Sequence, residues 1–207
     1  MSHFRIDIRQ RAEEVLALYP RPRSAMLPLL HLAQEQDGYV SDEGIAEVAE
    51  LTLTTPADVR GTALFYDMFH LEPVGRFVVA VCTNIACLLA GGDELLEHAS
   101  TSLGCPVGAT SSDGLFTLEE SECLADCDFA PCVQVNHRYV RTTTPGALDA
   151  VFAQLRAGKL DHDIPPHGTL IRVRRAGGLH APRADVSAER LAASEARQDR
   201  TPKEPKS

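Results

Sequence analysis

No stretch of the 207-residue chain approaches the roughly 20 consecutive apolar residues that a membrane-crossing helix needs. Its opening, Met1-Ser2-His3-Phe4-Arg5-Ile6-Asp7, has no apolar signal core either, so a cytoplasmic protein is expected. Cysteine is sparse. Six residues cannot staple a fold of this length, and clustered thiols then point to metal or redox chemistry rather than a secreted disulfide framework. No Cys-x-x-Cys occurs, so the active-site spacing of a dithiol-exchange enzyme is missing. A glycine-rich phosphate loop is also absent: Gly91-Gly92 precedes a helix without the fingerprint glycines, and the chain is expected to bind neither NADH nor flavin by itself. Eight histidines are scattered without a ligand pattern, and His31, beside apolar neighbours on a helix, reads as core or interface. Basic residues form no dense block. Residues 1–158 hold ten basic and twenty-two acidic side chains, a net of −12, leaving +3 for the remainder. An acidic body repels phosphate backbones, which argues against nucleic acid and for protein partners.

What the chain does have is two thiol pairs. Cys82 and Cys87 are separated by four residues, Cys123 and Cys127 by three. The β-branched run Phe77-Val78-Val79-Ala80-Val81 reads as a buried strand that delivers Cys82 to its loop. Cys123-Leu124-Ala125-Asp126-Cys127 lies between the strand-like Leu115-Phe116-Thr117-Leu118 and Val133-Gln134-Val135, so one sheet edge could hold both pairs. Four thiolates from two loops suit a small iron–sulfur cluster. A structural four-cysteine zinc module uses the same ligands and stays open on spacing alone. Cys105 reads as core or turn packing, and Cys132, at a strand start five positions beyond Cys127, as packing whose spacing would also permit ligation.

The first seventy residues read as four helices. Ile8, Ala12, Val15 and Leu16 recur at helical spacing over Asp7 to Tyr19 before Pro20, and a second helix runs from about Arg23 to Gln36 with Leu27, Leu30, Ala33 and Gln34 on one face. Ser41 is expected to cap the third, with Ile45, Val48, Ala49 and Leu51 facing inward; Thr55, Pro56 and Asp58 mark the start of the fourth. The aromatic group Phe65-Tyr66 and Met68-Phe69 is expected to pack the helices onto the following sheet. From Arg76 the texture becomes β-α-β-β-β-α: strands Arg76 to Val81, Leu115 to Leu118 and Cys132 to Asn136, and a tight turn at Asn136-His137 into Arg138-Tyr139-Val140. Helices are expected from Asp93 to about Ser102 and from Thr144-Pro145 to Gly158. Beyond it only Thr169-Leu170-Ile171-Arg172-Val173 looks strand-like, and residues 182–207, charged and devoid of aromatics, read as disordered.

With the cysteines placed, the chain resembles the 24 kDa (E-type) family of NADH:quinone oxidoreductase subunits, thioredoxin-like [2Fe-2S] proteins also found in NAD-linked hydrogenases and formate dehydrogenases. The carriers are Tyr19-Pro20, Leu29-Leu30-His31-Leu32-Ala33-Gln34-Glu35, Gly38-Tyr39-Val40-Ser41, Phe65-Tyr66-Asp67-Met68-Phe69, Pro73-Val74-Gly75 and both cysteine loops with Ala130-Pro131 and Val135-Asn136. Ala125, where many relatives carry Gly, Asp126 and Cys132 depart from the pattern. The resemblance implies an α+β chain: a helical bundle over residues 1–72, a thioredoxin-like domain with a small mixed sheet over 73–158, and an extension over 159–207. It implies one [2Fe-2S] cluster with Cys82 and Cys87 on one iron and Cys123 and Cys127 on the other. The implied role is non-catalytic electron transfer with the flavin of an NADH-binding partner subunit, beside a larger iron–sulfur subunit. Contact with the inner face of the membrane would come only through the complex.

Overall fold

In the computed structural model, residues 2–168 are described. Four helices come first: α1 (Ile6–Leu16), α2 (Met26–Asp37), α3 (Asp42–Thr52) and α4 (Pro56–Phe65). Their starts follow from local chemistry. Ser41 Oγ accepts the Gly44 N–H at 3.0 Å, and Thr55 and Asp58 form a reciprocal capping box that satisfies two otherwise orphaned amides of α4. The expected second helix divides, because Pro22–Ala25 winds as a tighter 3-10 turn before α2 begins. Ile8, Ala12, Leu29, Leu30, Ala33, Ile45, Val48, Val59 and Ala63 close one apolar cluster.

Phe69 joins that cluster, with Tyr66 and Met68 packed against it, whereas Phe65 is 79% exposed. The expected use of this aromatic group against the sheet is therefore corrected. The chain leaves the helix at Tyr66 and folds Phe69 back onto His31 of α2, ring centroids 4.7 Å apart.

The second half contains β1 (Phe77–Cys82), α5 (Ile85–Leu89), α6 (Gly92–Leu103), β2 (Phe116–Ser121), β3 (Val133–Val135), β4 (Arg138–Tyr139) and α7 (Pro145–Arg156). The sheet order is β2-β1-β3-β4, with β1 parallel to β2 and the other neighbours antiparallel. Positive φ at Asn136 and His137 makes the tight turn between β3 and β4. Phe77, Phe116 and Phe152 stack at centroid distances of 5.7 and 5.5 Å in a second apolar cluster, which Cys105 joins as a packing residue.

After α7 the chain runs back along this half. Ile164 enters the second cluster, Arg76 pairs with Asp161 at 2.7 Å, and the His167 N–H donates to the Arg76 carbonyl at 2.7 Å. Gly168, at φ +82°, lies so close to α2 that an added Cβ would sit 2.7 Å from the Gln34 carbonyl oxygen. Gln34 is itself spoken for at both ends of its amide: it donates to the Met68 carbonyl and accepts the His70 N–H, each at 2.9 Å. His70 Nε2 meets Glu119 of β2 at 2.8 Å. The strand expected at Thr169 to Val173 and the disorder expected after 182 lie outside the described residues.

Candidate metal centre

The parallel register of β1 and β2 builds this site. Cys82 lies opposite Ser121, so β1 and β2 end together, and Cys123 follows two residues later. Strand β3 runs the other way and begins there: Val133 pairs with Val81, and the Cys82 N–H donates to the Cys132 carbonyl at 3.0 Å. Cys82, Cys123 and Cys132 thus stand at strand ends, or just past one, at a single end of the sheet.

Between Cys82 and Cys87 the chain does more than loop. Asn84 caps the five-residue helix α5, its Oδ1 accepting the Ile85 N–H at 2.7 Å, and this turn swings Cys87 back against Cys82. Both are 2% exposed. Gly92 opens α6 directly behind them, where a Cβ would stand 2.7 Å from the Cys82 carbonyl oxygen and 2.9 Å from that of Cys87. The second pair differs: Cys123 and Cys127 are exposed on a loop whose Leu124 and Ala130 pack against Cys82, Cys87 and Cys132. Cys82 Sγ donates to the Glu122 carbonyl at 3.5 Å, which brings the first pair against the backbone that carries Cys123.

Two side chains steady the second loop. The Tyr139 hydroxyl donates to the Leu124 carbonyl, and Arg141 sets its guanidinium 3.8 Å from the centre of the Phe129 ring and 3.7 Å from Asp126. Neither Tyr139 nor Arg141 was legible as a site residue. Each lies beyond the β3–β4 turn, and the pairing of those strands brings that stretch of chain back to the second cysteine loop.

Burial is the first cause that pushes the Cys87 thiol up to about 12, and the Cys82 and Cys132 thiols beside it add to the rise. Burial also raises Cys132. A thiol in such surroundings becomes a thiolate only against a cation, as when a metal replaces its proton. The donors therefore fit an iron–sulfur cluster in number and kind: none of the six cysteines is in a disulfide, and the Cys132 N–H already donates to Cys87 Sγ at 3.4 Å, the backbone-to-sulfur bond such centres use. Their placement is partial. Cys82, Cys87 and Cys132 are together, Cys123 and Cys127 face solvent, and among the described residues no three His, Cys, Asp or Glu side chains stand in metal-ligating geometry. A site that used all four thiols of the two pairs would require the second loop to turn Cys123 and Cys127 inward.

Ala125, at φ +59°, accounts for one departure from the family pattern. A left-handed conformation costs an L-residue roughly 1–2 kcal/mol, and glycine's greater unfolded-state entropy offsets roughly 0.5–1 of that. Ala125→Gly is accordingly expected to stabilise the fold by about 0.5 kcal/mol net. A denaturation midpoint that falls instead would show that the loop takes another conformation.

A mixed sheet flanked by helices, with two thiol loops at the shared end of its parallel strands, defines a thioredoxin-like iron–sulfur protein. The chain belongs to the thioredoxin-like [2Fe-2S] ferredoxin family, which it matches over residues 12–156, and its cofactor is a [2Fe-2S] cluster. It is 41% identical over 150 residues to NADH-quinone oxidoreductase subunit 2 of Thermus thermophilus, covering 71% of this chain and 83% of that protein. To the E 2 subunit of the NADH-quinone oxidoreductase of Rhizobium meliloti it is 39% identical over 154 residues, covering 74% and 92%. Among solved structures, an NAD+-reducing [NiFe]-hydrogenase in the air-oxidised state superposes with a TM-score of 0.59 at 22% identity, over 68% of this chain and 24% of that one. That likeness concerns the fold. The chain is an electron-transfer protein of the oxidoreductase class, and no helix among the described residues is long and apolar enough to cross a membrane.

Proposed function

We propose that this chain is the E-type subunit of an NADH:quinone oxidoreductase, in which Cys82, Cys87, Cys123 and Cys127 hold one [2Fe-2S] cluster. The cluster accepts and returns single electrons, and the flavin of an NADH-binding partner subunit is its exchange partner. Residues 1–72 serve as the helical docking part, 73–158 carry the cluster, and a larger iron–sulfur subunit adjoins them. The protein works in the cytoplasm and reaches the inner face of the membrane only through this assembly. It has no active site of its own.

The observation that carries the reading is the β1–β2 register, which ends both strands at one place and launches a cysteine from each, Cys82 and Cys123. The curated relatives at 39–41% identity, both named as parts of NADH-quinone oxidoreductases, favour the quinone-linked complex over a hydrogenase or formate dehydrogenase. Protein bound to zinc would be colourless and silent in electron paramagnetic resonance. Dithionite-reduced protein is expected to give the rhombic signal of a [2Fe-2S]+ centre with two irons per chain, and pull-down mass spectrometry to recover a flavin-bearing neighbour. Protein that stays iron-free after anaerobic reconstitution would end the proposal.

A further inference from the structure

The cysteine that departs from the family pattern is also the one most tightly tied to its neighbours. Cys132 is 3% exposed and packs with Cys82 and Cys87 as one apolar group. Its backbone joins it to both members of that pair, through the Cys82 N–H to its carbonyl at 3.0 Å and its own N–H to Cys87 Sγ at 3.4 Å. Its thiol faces the other loop, where Sγ donates to the Asp126 carbonyl at 2.9 Å, one residue before Cys127. A cysteine that merely filled core would have apolar neighbours, as Cys105 does among the side chains of the second cluster. Cys132 instead touches two of the four proposed ligands and the peptide next to a third.

We propose that Cys132 is a reserve ligand, a fifth thiol able to take the place of Cys87 on the iron that Cys82 and Cys87 share. This rests on the four-cysteine reading above. The exchange is a ligand substitution without redox change. The Cys132 thiol gives its proton to solvent as its sulfur bonds the iron, the iron–sulfur bond to Cys87 breaks, and the released Cys87 thiolate takes up a proton in turn, so four thiolates stay on the cluster and the proton count is unchanged. Two features favour it sterically. The sulfur that moves is already at the Cys87 sulfur's side, and the hydrogen bond to Asp126 it gives up is one weak S–H donor bond. The rigid β1–β3 pairing at Val81 and Val133 keeps Cys132 in place whether or not Cys87 is present.

The test compares Cys87→Ala with the double variant Cys87→Ala/Cys132→Ala, both reconstituted anaerobically beside the wild type. The single variant is expected to keep two irons per chain and thiolate-to-iron absorption with shifted g-values, while the double variant loses the cluster. Cys132→Ala alone should retain it. Should Cys87→Ala fail to fold by circular dichroism, Cys87→Ser serves. Its spectrum is expected to stay that of four thiolates, and Cys87→Ser/Cys132→Ala to shift to the higher-energy bands of an oxygen ligand. Identical spectra for the two serine variants, or an iron-free Cys87→Ala that is folded, would overturn the reserve role. A wild type without a cluster would instead overturn the function itself, so the two failures are distinct.

Discussion

Cys123→Ala is expected to abolish the visible and paramagnetic signature of the cluster while leaving the protein folded. The side chain is exposed and makes no contribution to either large apolar cluster, so its removal costs within about 0.5 kcal/mol, the usual range for surface substitutions. Loss of iron therefore cannot be charged to unfolding. On the proposed assignment the spare thiol does not compensate, because Cys132 is packed beside Cys82 and Cys87 and would serve their iron, not the one that Cys123 and Cys127 would hold. Three thiolates leave that second iron open to water. The measurement is iron content with absorption and paramagnetic resonance, alongside far-ultraviolet circular dichroism. A full cluster signal from Cys123→Ala would remove this residue from the ligand set.

Gly92→Ala is the second large effect. Alanine is ordinarily the better helix former, by about 1 kcal/mol over glycine, and on an exposed helix the change would stabilise. Here a Cβ would meet the carbonyl oxygens of Cys82 and Cys87 at 2.7 and 2.9 Å, and both are backbone atoms of buried residues that cannot swing aside. Either α6 lifts away from the sheet or the first thiol pair shifts. Overpacking of that kind costs roughly 1–3 kcal/mol, which outweighs the gain in propensity. The expected result is a lower thermal midpoint together with reduced iron occupancy. A midpoint at or above that of the wild type would mean that the approach of α6 to the cysteine loop is looser than described.

Much of this architecture could be read directly from residues. Ser41 and Thr55 announce their helices because capping is local chemistry, decided within four residues, and Asn136-His137 announces its turn for the same reason. The strands from Phe77 and Phe116 show as β-branched or aromatic runs, though each extends further toward the cysteines than the pattern suggests. Helix α5 stayed hidden inside the first thiol spacing, since five residues are too few to display a helical period. The aromatic group was misplaced because composition records how much apolar surface must be covered and is silent on which neighbour covers it. For the site, the cysteines that could serve as donors were legible and their unequal burial was not. Cys82 and Cys87 are enclosed by α6 and by the start of β3, and β3 begins only at Val133, whereas Cys123 and Cys127 belong to an open loop. Tyr139 and Arg141 are long-range contributors of the same kind.

The return segment from Asp161 to Gly168 works as a hem. It fastens Arg76, at the start of β1, to the α2 backbone, and β1 then runs six residues, roughly 20 Å at about 3.3 Å each, before its sulfur-bearing tip. The return segment thus ties helices to strands at the extremity of β1 opposite to the thiols. Loss of iron is accordingly expected to slacken the thiol margin first, while the stitched margin stays shut.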